Sequence, residues 1–297
     1  MQNKKKPIKA ELITRLEYKS YFLRRKLLQL TGKIGGAHIG GSFSMMEMVV
    51  CLYHSFLKVD PINPKKADRD IFILSKGHAG VGYCLILADL GFFPEQDLDT
   101  FNQTGSKFGV HPDHKAIPGV EASTGSLGHG LGLALGIALA KKLDGKSERV
   151  VALLSDGEMC EGSVWEALLA AHHYKTGNLL AIIDYNKMSQ DGPLSEIMEL
   201  APLKLKLETF GWRVHEIDGH NIHDILHTLR DLPDPATSKQ PTAILMNTIK
   251  GKGVPFMENT VLWHYGGMDT EVEKKALAAL DETYNSVIER FKKLETP

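Results

Sequence analysis

Short apolar runs alternate along this chain with stretches whose apolar residues recur every three or four positions. The first such stretch spans 11–30, where Leu12, Leu16, Leu23, Leu27 and Leu30 share one face of an expected helix. A glycine-rich loop follows over 31–44, TGKIGGAHIGGSFS, and 45–57 predicts a second helix. Five runs read as buried strands from their length and polar borders: 70–74, 149–154, 179–184, 212–217 and 242–247. Helical stretches at 129–143, 163–175 and 222–231 lie between them, and a charged helix is expected over 271–293. The stretch PDPATSKQP at 233–241 reads as a surface loop. Short strands alternating with helices imply an α/β fold, a parallel β-sheet with helices on both faces. One doubly wound unit can absorb 297 residues, so 1–297 is read as a single domain.

Composition narrows the function classes. Lys and Arg total 35 against 36 for Asp and Glu, a net charge of -1. No global field then favours nucleic acid or an anionic membrane. The Lys4-Lys5-Lys6 run reads as a solvated terminus. No apolar signal-like region and no long apolar span occur, so neither a signal peptide nor a membrane helix is expected. Cys51, Cys84 and Cys160 are odd in number and far apart, which fits free thiols and a cytoplasmic location.

The chemistry concentrates in 151–192. One strand ends at Ser155 with Asp156-Gly157 following, and a second ends at Asp184 with Asn186 in the next loop. Open α/β sheets bind ligands at these carboxyl ends. One strand–helix–strand crossover sets the two loops side by side. A carboxylate and a carboxamide make an oxygen-only site of low charge, suited to Mg²⁺ sharing its ligands with a phosphate. An isolated Asp-Gly would be only a turn; the paired spacing decides for a site.

Asp156-Gly157-Glu158, then Glu161-Gly162, Glu166-Ala167 and Asn186, resembles the thiamine-diphosphate motif in its transketolase form. The resemblance implies thiamine diphosphate as cofactor. It implies Mg²⁺, or Ca²⁺ or Mn²⁺ in its place, on Asp156, Asn186 and the carbonyl of Met188. Ser155 stands where the family usually has Gly, a departure that leaves room for the backbone to approach a diphosphate.

Further segments resemble the family in order. Gly36-Ala37-His38-Ile39-Gly40-Gly41 resembles the loop whose histidine faces substrate. Leu74-Ser75-Lys76-Gly77-His78-Ala79 resembles the segment whose histidine lies on the phosphate side of the cofactor, and Gly109-Val110-His111-Pro112 the loop that recognises donor hydroxyls. The run 123–130, with Gly125, Ser126 and Leu127, resembles the loop beneath the aminopyrimidine; Ser126 and His129 replace the frequent Pro and Gln. Lys250-Gly251-Lys252-Gly253 and Trp263-His264 resemble the late loop over the diphosphate and the substrate channel. Alone, each could be a glycine turn or a solvated histidine; the ordered set carries the weight. The resemblance therefore implies catalytic roles for His38, His78, His111 and His264, with Glu161 and Glu166 as interface or proton-relay groups. Their plain alternative is charge at a helix N-terminus. It implies cofactor contacts from His78, Gly125, Ser126, Leu127, Asp156, Gly157, Glu158, Asn186, Lys250 and His264. His172, His173, His223 and His227 receive no role.

The resemblance spans nearly all of this chain but about half of a full-length transketolase. The carboxylate that activates the aminopyrimidine belongs to a second domain in that family. The expectation is therefore a split transketolase, moving a two-carbon ketol unit from a ketose or ketose phosphate to an aldose. Its partner would be a pyrimidine-side subunit, in a heterotetramer. Alternatives are the α subunit of a 2-oxo acid dehydrogenase, which shares the metal motif, a transketolase-like subunit for a specialised sugar, and a non-catalytic cofactor-binding protein.

Overall fold

A computed structural model describes residues 7–296. Lys4–Lys6 lie outside the described residues. Five strands form one parallel sheet: β2 (Ile71–Leu74), β3 (Val150–Ser155), β4 (Leu179–Tyr185), β5 (Arg213–Asp218) and β6 (Thr242–Asn247), ordered β2-β3-β4-β6-β5. All five predicted runs appear within about a residue of their expected bounds, but β5, at the sheet's edge, is half-buried or exposed along its length rather than buried.

Successive residues of the strands point to opposite faces, and the core divides accordingly. Phe72, Leu74, Val151, Leu153, Leu180, Ile182, Ile244 and Met246 pack on one side. That side is covered by α1 (Ala10–Ile34), α2 (Ile39–Ser44), α3 (Met46–Cys51), α4 (Gly80–Asp89) and α9 (Ile222–Asp231). Ile71, Ile73, Val150, Ala152, Leu154, Leu179, Ala181, Ile183 and Leu245 pack on the other, under α5 (Gly130–Leu143), α6 (Gly162–His173) and α8 (Leu203–Thr209). Helices on both faces are thus observed.

Several boundaries differ from expectation. Residues 31–44 are not one loop: α1 runs on to Ile34 and α2 fills 39–44. The expected helix over 45–57 divides into α3 and a π-helical segment, Leu52–Phe56. The single helix expected over 271–293 is two, α10 (Thr270–Thr283) and α11 (Asn285–Glu295), broken at Tyr284. Tyr284 is drawn inward, its ring near both Tyr21 and the Arg24 guanidinium. Helix α4 escapes detection by periodicity because Gly80–Ala88 are buried on every side. A short helix, α7 (Leu194–Ile197), precedes α8.

The loop before α2 is tied down by a two-residue antiparallel ladder between β1 (Gly36–Ala37) and β7 (Gly266–Gly267). The Gly40 N–H donates to the Trp263 carbonyl (3.0 Å) and the Gly251 N–H to the Gly40 carbonyl (3.1 Å). Three loops remote in sequence therefore meet at one backbone junction.

Candidate active site

Register aligns the strand ends. Leu74 pairs with Leu153, Ser155 with Asp184, and Tyr185 with Asn247. The loops leaving these ends, with those at His38, His111, Gly125 and His264, enclose a cleft of about 430 Å³. Its lining holds His38, Lys76, His78, His111, Gly125, Leu127, Gly157, Asn186, Met188, Lys250 and His264. A larger hollow, about 1120 Å³, lies against α6 and the loop before β6, away from these groups and mostly apolar.

Asp156 directly follows β3 and is fully buried. Its carboxylate accepts from the N–H groups of Gly157 (2.8 Å) and Lys187 (2.5 Å). Burial first, and Asp184 second, push its pKa up to about 7 against those two bonds. Asn186 Oδ1 accepts from the Met188 N–H (3.1 Å), and its amide donates to Asp184 Oδ2 (3.3 Å). The Lys250 ammonium sits on the Ser189 carbonyl (2.7 Å), with that of Met188 at 3.5 Å. Burial pulls its pKa down to about 8. A cationic group thus already rests against these carbonyls, close to a carboxylate whose ionisation is opposed by burial. The donor set is oxygen only, and it fits a hard divalent cation bound beside a diphosphate.

Beneath this seat lies Asp184, fully buried. It accepts from Lys76 Nζ (2.5 Å), Ser44 Oγ (2.5 Å) and Thr248 Oγ1. Burial opposes its charge, but Lys76, Ser44 and Thr248 together hold its pKa below the ordinary value. Lys76 also donates to the Gly41 carbonyl (2.7 Å). A charged pair with its hydrogen bonds filled is the form in which burial is tolerated.

Four aromatic side chains gather at the mouth. The His38 ring centroid lies 5.4 Å from that of His78, 5.2 Å from His264 and 4.9 Å from Tyr265, and the His78 and His264 rings stack at 5.3 Å. His264 Nδ1 meets Lys250 Nζ at 2.9 Å. Burial, then His111 and Lys250, lowers the pKa of His38 to about 4; burial, then Lys250, lowers that of His264 to about 4. His78 falls well below its ordinary value, from burial and then Lys76. All three are neutral near pH 7, so each ring can donate one hydrogen bond and accept another. His111 is exposed at the rim, against Gly125.

Other expected site residues stand elsewhere. Glu158 is buried behind the cleft wall, not in its lining. It accepts from Ser75 Oγ and from the N–H groups of Gly128 (2.9 Å) and Ser155 (3.3 Å), so its carboxylate is consumed as a brace. Ser126 is exposed and outside the lining, because the backbone turns at Gly125 and Leu127 points inward instead. Glu161, at the cap of α6, and Glu166, within it, are exposed, and Glu166 borders the larger hollow. His172, His173, His223 and His227, which received no role, are exposed. The sequence motifs assign no role to Lys76, Asp184, Ser44 or Thr248; the signal present is a lysine and an aspartate at the polar ends of otherwise apolar runs.

Comparison with known proteins agrees with this fold. Residues 23–284 match the family model of the transketolase thiamine diphosphate binding domain. The 6-deoxy-6-sulfo-D-fructose transketolase subunit SqwG of Clostridium sp. is 39% identical over 267 residues, 90% of this chain and 96% of its own length. An apulose-4-phosphate transketolase subunit of Phocaeicola vulgatus is 37% identical over 280 residues, 94% of this chain and 96% of its own. The transketolase structure from Campylobacter jejuni superposes with a TM-score of 0.80 at 26% identity, covering 97% of this chain but 49% of that one.

Proposed function

Because this chain belongs to the transketolase family, through its thiamine diphosphate-binding domain, we propose that it is the diphosphate-side subunit of a two-chain transketolase. The observation that carries this reading is the convergence of an oxygen-only cation seat and a cluster of neutral histidines in one cleft. The relatives named as subunits are matched over nearly their whole length, which supports a division between two polypeptides.

When bound, thiamine diphosphate supplies the nucleophilic carbon and the electron sink for two-carbon transfer. The chain's residues bind and orient. Asp156, Asn186 and the Met188 carbonyl hold Mg²⁺, or Ca²⁺ or Mn²⁺ in its place, against the diphosphate, and Lys250 adds positive charge. Gly125, Leu127 and Gly157 form the wall against which the cofactor lies. His38, His78 and His264 exchange hydrogen bonds with sugar hydroxyls, and His111 reads donor stereochemistry at the rim. Glu161 and Glu166, exposed at α6, face the partner subunit. That partner supplies the carboxylate for the pyrimidine ring, in a heterotetramer with two sites.

The substrates are a ketose donor and an aldose acceptor. The named relatives act on 6-deoxy-6-sulfo-D-fructose and on apulose 4-phosphate, ketoses with anionic substituents. We expect a donor of that class. The test is to assay two-carbon transfer from a panel of ketose phosphates and sulfonated ketoses, with thiamine diphosphate and Mg²⁺, with and without a pyrimidine-side subunit. Turnover that appears only with the second chain, and saturates near equal stoichiometry, supports the reading. Robust turnover by this chain alone, or none from any ketose with a partner present, refutes it.

A further inference from the structure

The loop carrying Lys250 is held from behind by a buried chain of polar side chains that lines no part of the cleft. Arg24 on α1 is wholly buried and grips Glu47 on α3 through both nitrogens, Nη1 to Oε1 at 2.6 Å and Nη2 to Oε2 at 2.7 Å. Arg24 Nη2 also donates to the Phe43 carbonyl (2.6 Å). Glu47 Oε2 lies 3.0 Å from Nδ1 of His220, in the loop after β5. His220 Nε2 in turn receives the N–H of Ile249, the residue before Lys250, at 2.9 Å.

These bonds determine the tautomer of His220. An N–H donor at Ile249 requires Nε2 to be the bare acceptor, so the proton sits on Nδ1 and points at Glu47. A carboxylate on Nδ1–H makes the opposite ring nitrogen a better acceptor, the logic by which outer carboxylates orient ligating histidines. Three neighbouring ties act on the same loop: Thr248 Oγ1 on Asp184, the Gly251 N–H on the Gly40 carbonyl, and Lys250 Nζ on Ser189 and His264. The Ile249 bond is the one that ties it to the Arg24–Glu47 pair.

We propose that His220 is a positioning residue: through Ile249 it fixes the backbone from which Lys250 projects, and Glu47 with Arg24 locks it in the tautomer that does so. In the proposed function, on which this inference rests for its consequence, His220 thereby sets affinity for the diphosphate without touching it.

Two amide substitutions separate the two bonds. In His220→Gln the amide oxygen falls near the place of Nε2 and still accepts from Ile249. In His220→Asn the amide nitrogen falls near Nδ1 and still donates to Glu47, leaving the Ile249 N–H buried without an acceptor. Both shorten or lose one polar contact, so a merely structural role would affect them alike. The experiment measures amide hydrogen exchange over 248–253 in the full chain, thermal unfolding, and thiamine diphosphate affinity by calorimetry with Mg²⁺. We expect exchange at Ile249 and affinity for thiamine diphosphate each to change about tenfold in His220→Asn, and within about twofold in His220→Gln. Equal effects in the two variants would overturn the proposal, as would accelerated exchange with unaltered affinity. Failure of the unsubstituted chain to bind thiamine diphosphate, with or without partner, would defeat the functional reading instead; the exchange contrast would still decide whether His220 holds the loop.

Discussion

At the scale of single residues, Asp156 joins burial to charge: fully buried and near Asp184, which outweigh two backbone N–H groups and the Lys76 charge. A divalent cation would relieve that opposition. Asp156→Ala is expected to weaken Mg²⁺-supported thiamine diphosphate binding by about 100-fold or more. The far-ultraviolet dichroism should stay native, since the residue lies beyond the strand's apolar core. Calorimetry with near-native affinity at limiting Mg²⁺ would contradict the assignment. His111 is exposed at the rim, so His111→Ala should spare cofactor affinity and lower kcat/KM about 10- to 100-fold for donors with matching hydroxyl stereochemistry. Equal losses across stereoisomeric ketoses would count against that role. Glu47 supplies a pH test. Burial opposes its charge, but Arg24 and His220 outweigh this and hold its pKa at about 2, below its ordinary 4.5. A depressed carboxyl adds stability that is present above pH 4.5 and is lost as pH falls toward 2. Unfolding midpoints followed over that window should fall steeply for the wild type and less steeply for Glu47→Gln. His38 and His264 act in another window. Their pKa values of about 4 lie below the ordinary 6.5, so the unfolded chain takes up protons first and stability declines from pH 6.5 toward 4.

At the scale of elements, the site depends on loops forced into close contact. Gly251 has φ +79°, and a Cβ there would lie 2.2 Å from the Met257 carbonyl oxygen. Gly251→Ala should therefore cost roughly 1–3 kcal/mol or more. It should also weaken thiamine diphosphate binding, since its N–H ties the Lys250 loop to Gly40. Thermal unfolding and calorimetry on one preparation test both, and an unchanged midpoint would refute the packing argument. Gly130, where α5 begins, permits an equally close approach: a Cβ would meet Ser75 Oγ at 2.2 Å. That approach brings the Ser75–Lys76 turn beside the loop bearing Gly125 and Leu127.

At the scale of the molecule, helices α5 and α6 leave apolar side chains in solvent. Leu133 is 46% exposed, Leu169 57% and Tyr174 53%, on the same side of the sheet as Glu161 and Glu166. Under the two-chain reading this surface is where the partner docks. Leu169→Glu should then leave the fold and its unfolding midpoint nearly unchanged, within about 0.5 kcal/mol, while weakening assembly with the partner. Analytical ultracentrifugation of the mixed subunits would show it, and unaltered assembly would place the interface elsewhere. Among the described residues no helix is long and apolar enough to cross a membrane.

The sequence alone determined the sheet and the place of Asp156 and Asn186 at the carboxyl ends of its strands. A strand buried on both faces must be apolar throughout, so its ends are visible where the apolar run stops at Ser155 or Asp184. Asp156 and Asn186 follow those ends directly, and one crossover suffices to bring them together. The histidines at 38, 78, 111 and 264 were legible only as an ordered resemblance, since nothing local distinguishes a site histidine from a solvated one. The meeting of His38 and His264 was decided by the β1–β7 ladder and the Gly40–Trp263 and Gly251–Gly40 bonds, which join segments more than 200 residues apart. Tertiary structure also turned Glu158 from an expected cofactor contact into a brace, and set Glu161 and Glu166 on an open surface. It alone paired Glu47 with His220, 173 residues apart. Local pattern reports how much of each residue is buried; which buried polar groups meet is settled by strand register and by loop closure across the whole chain.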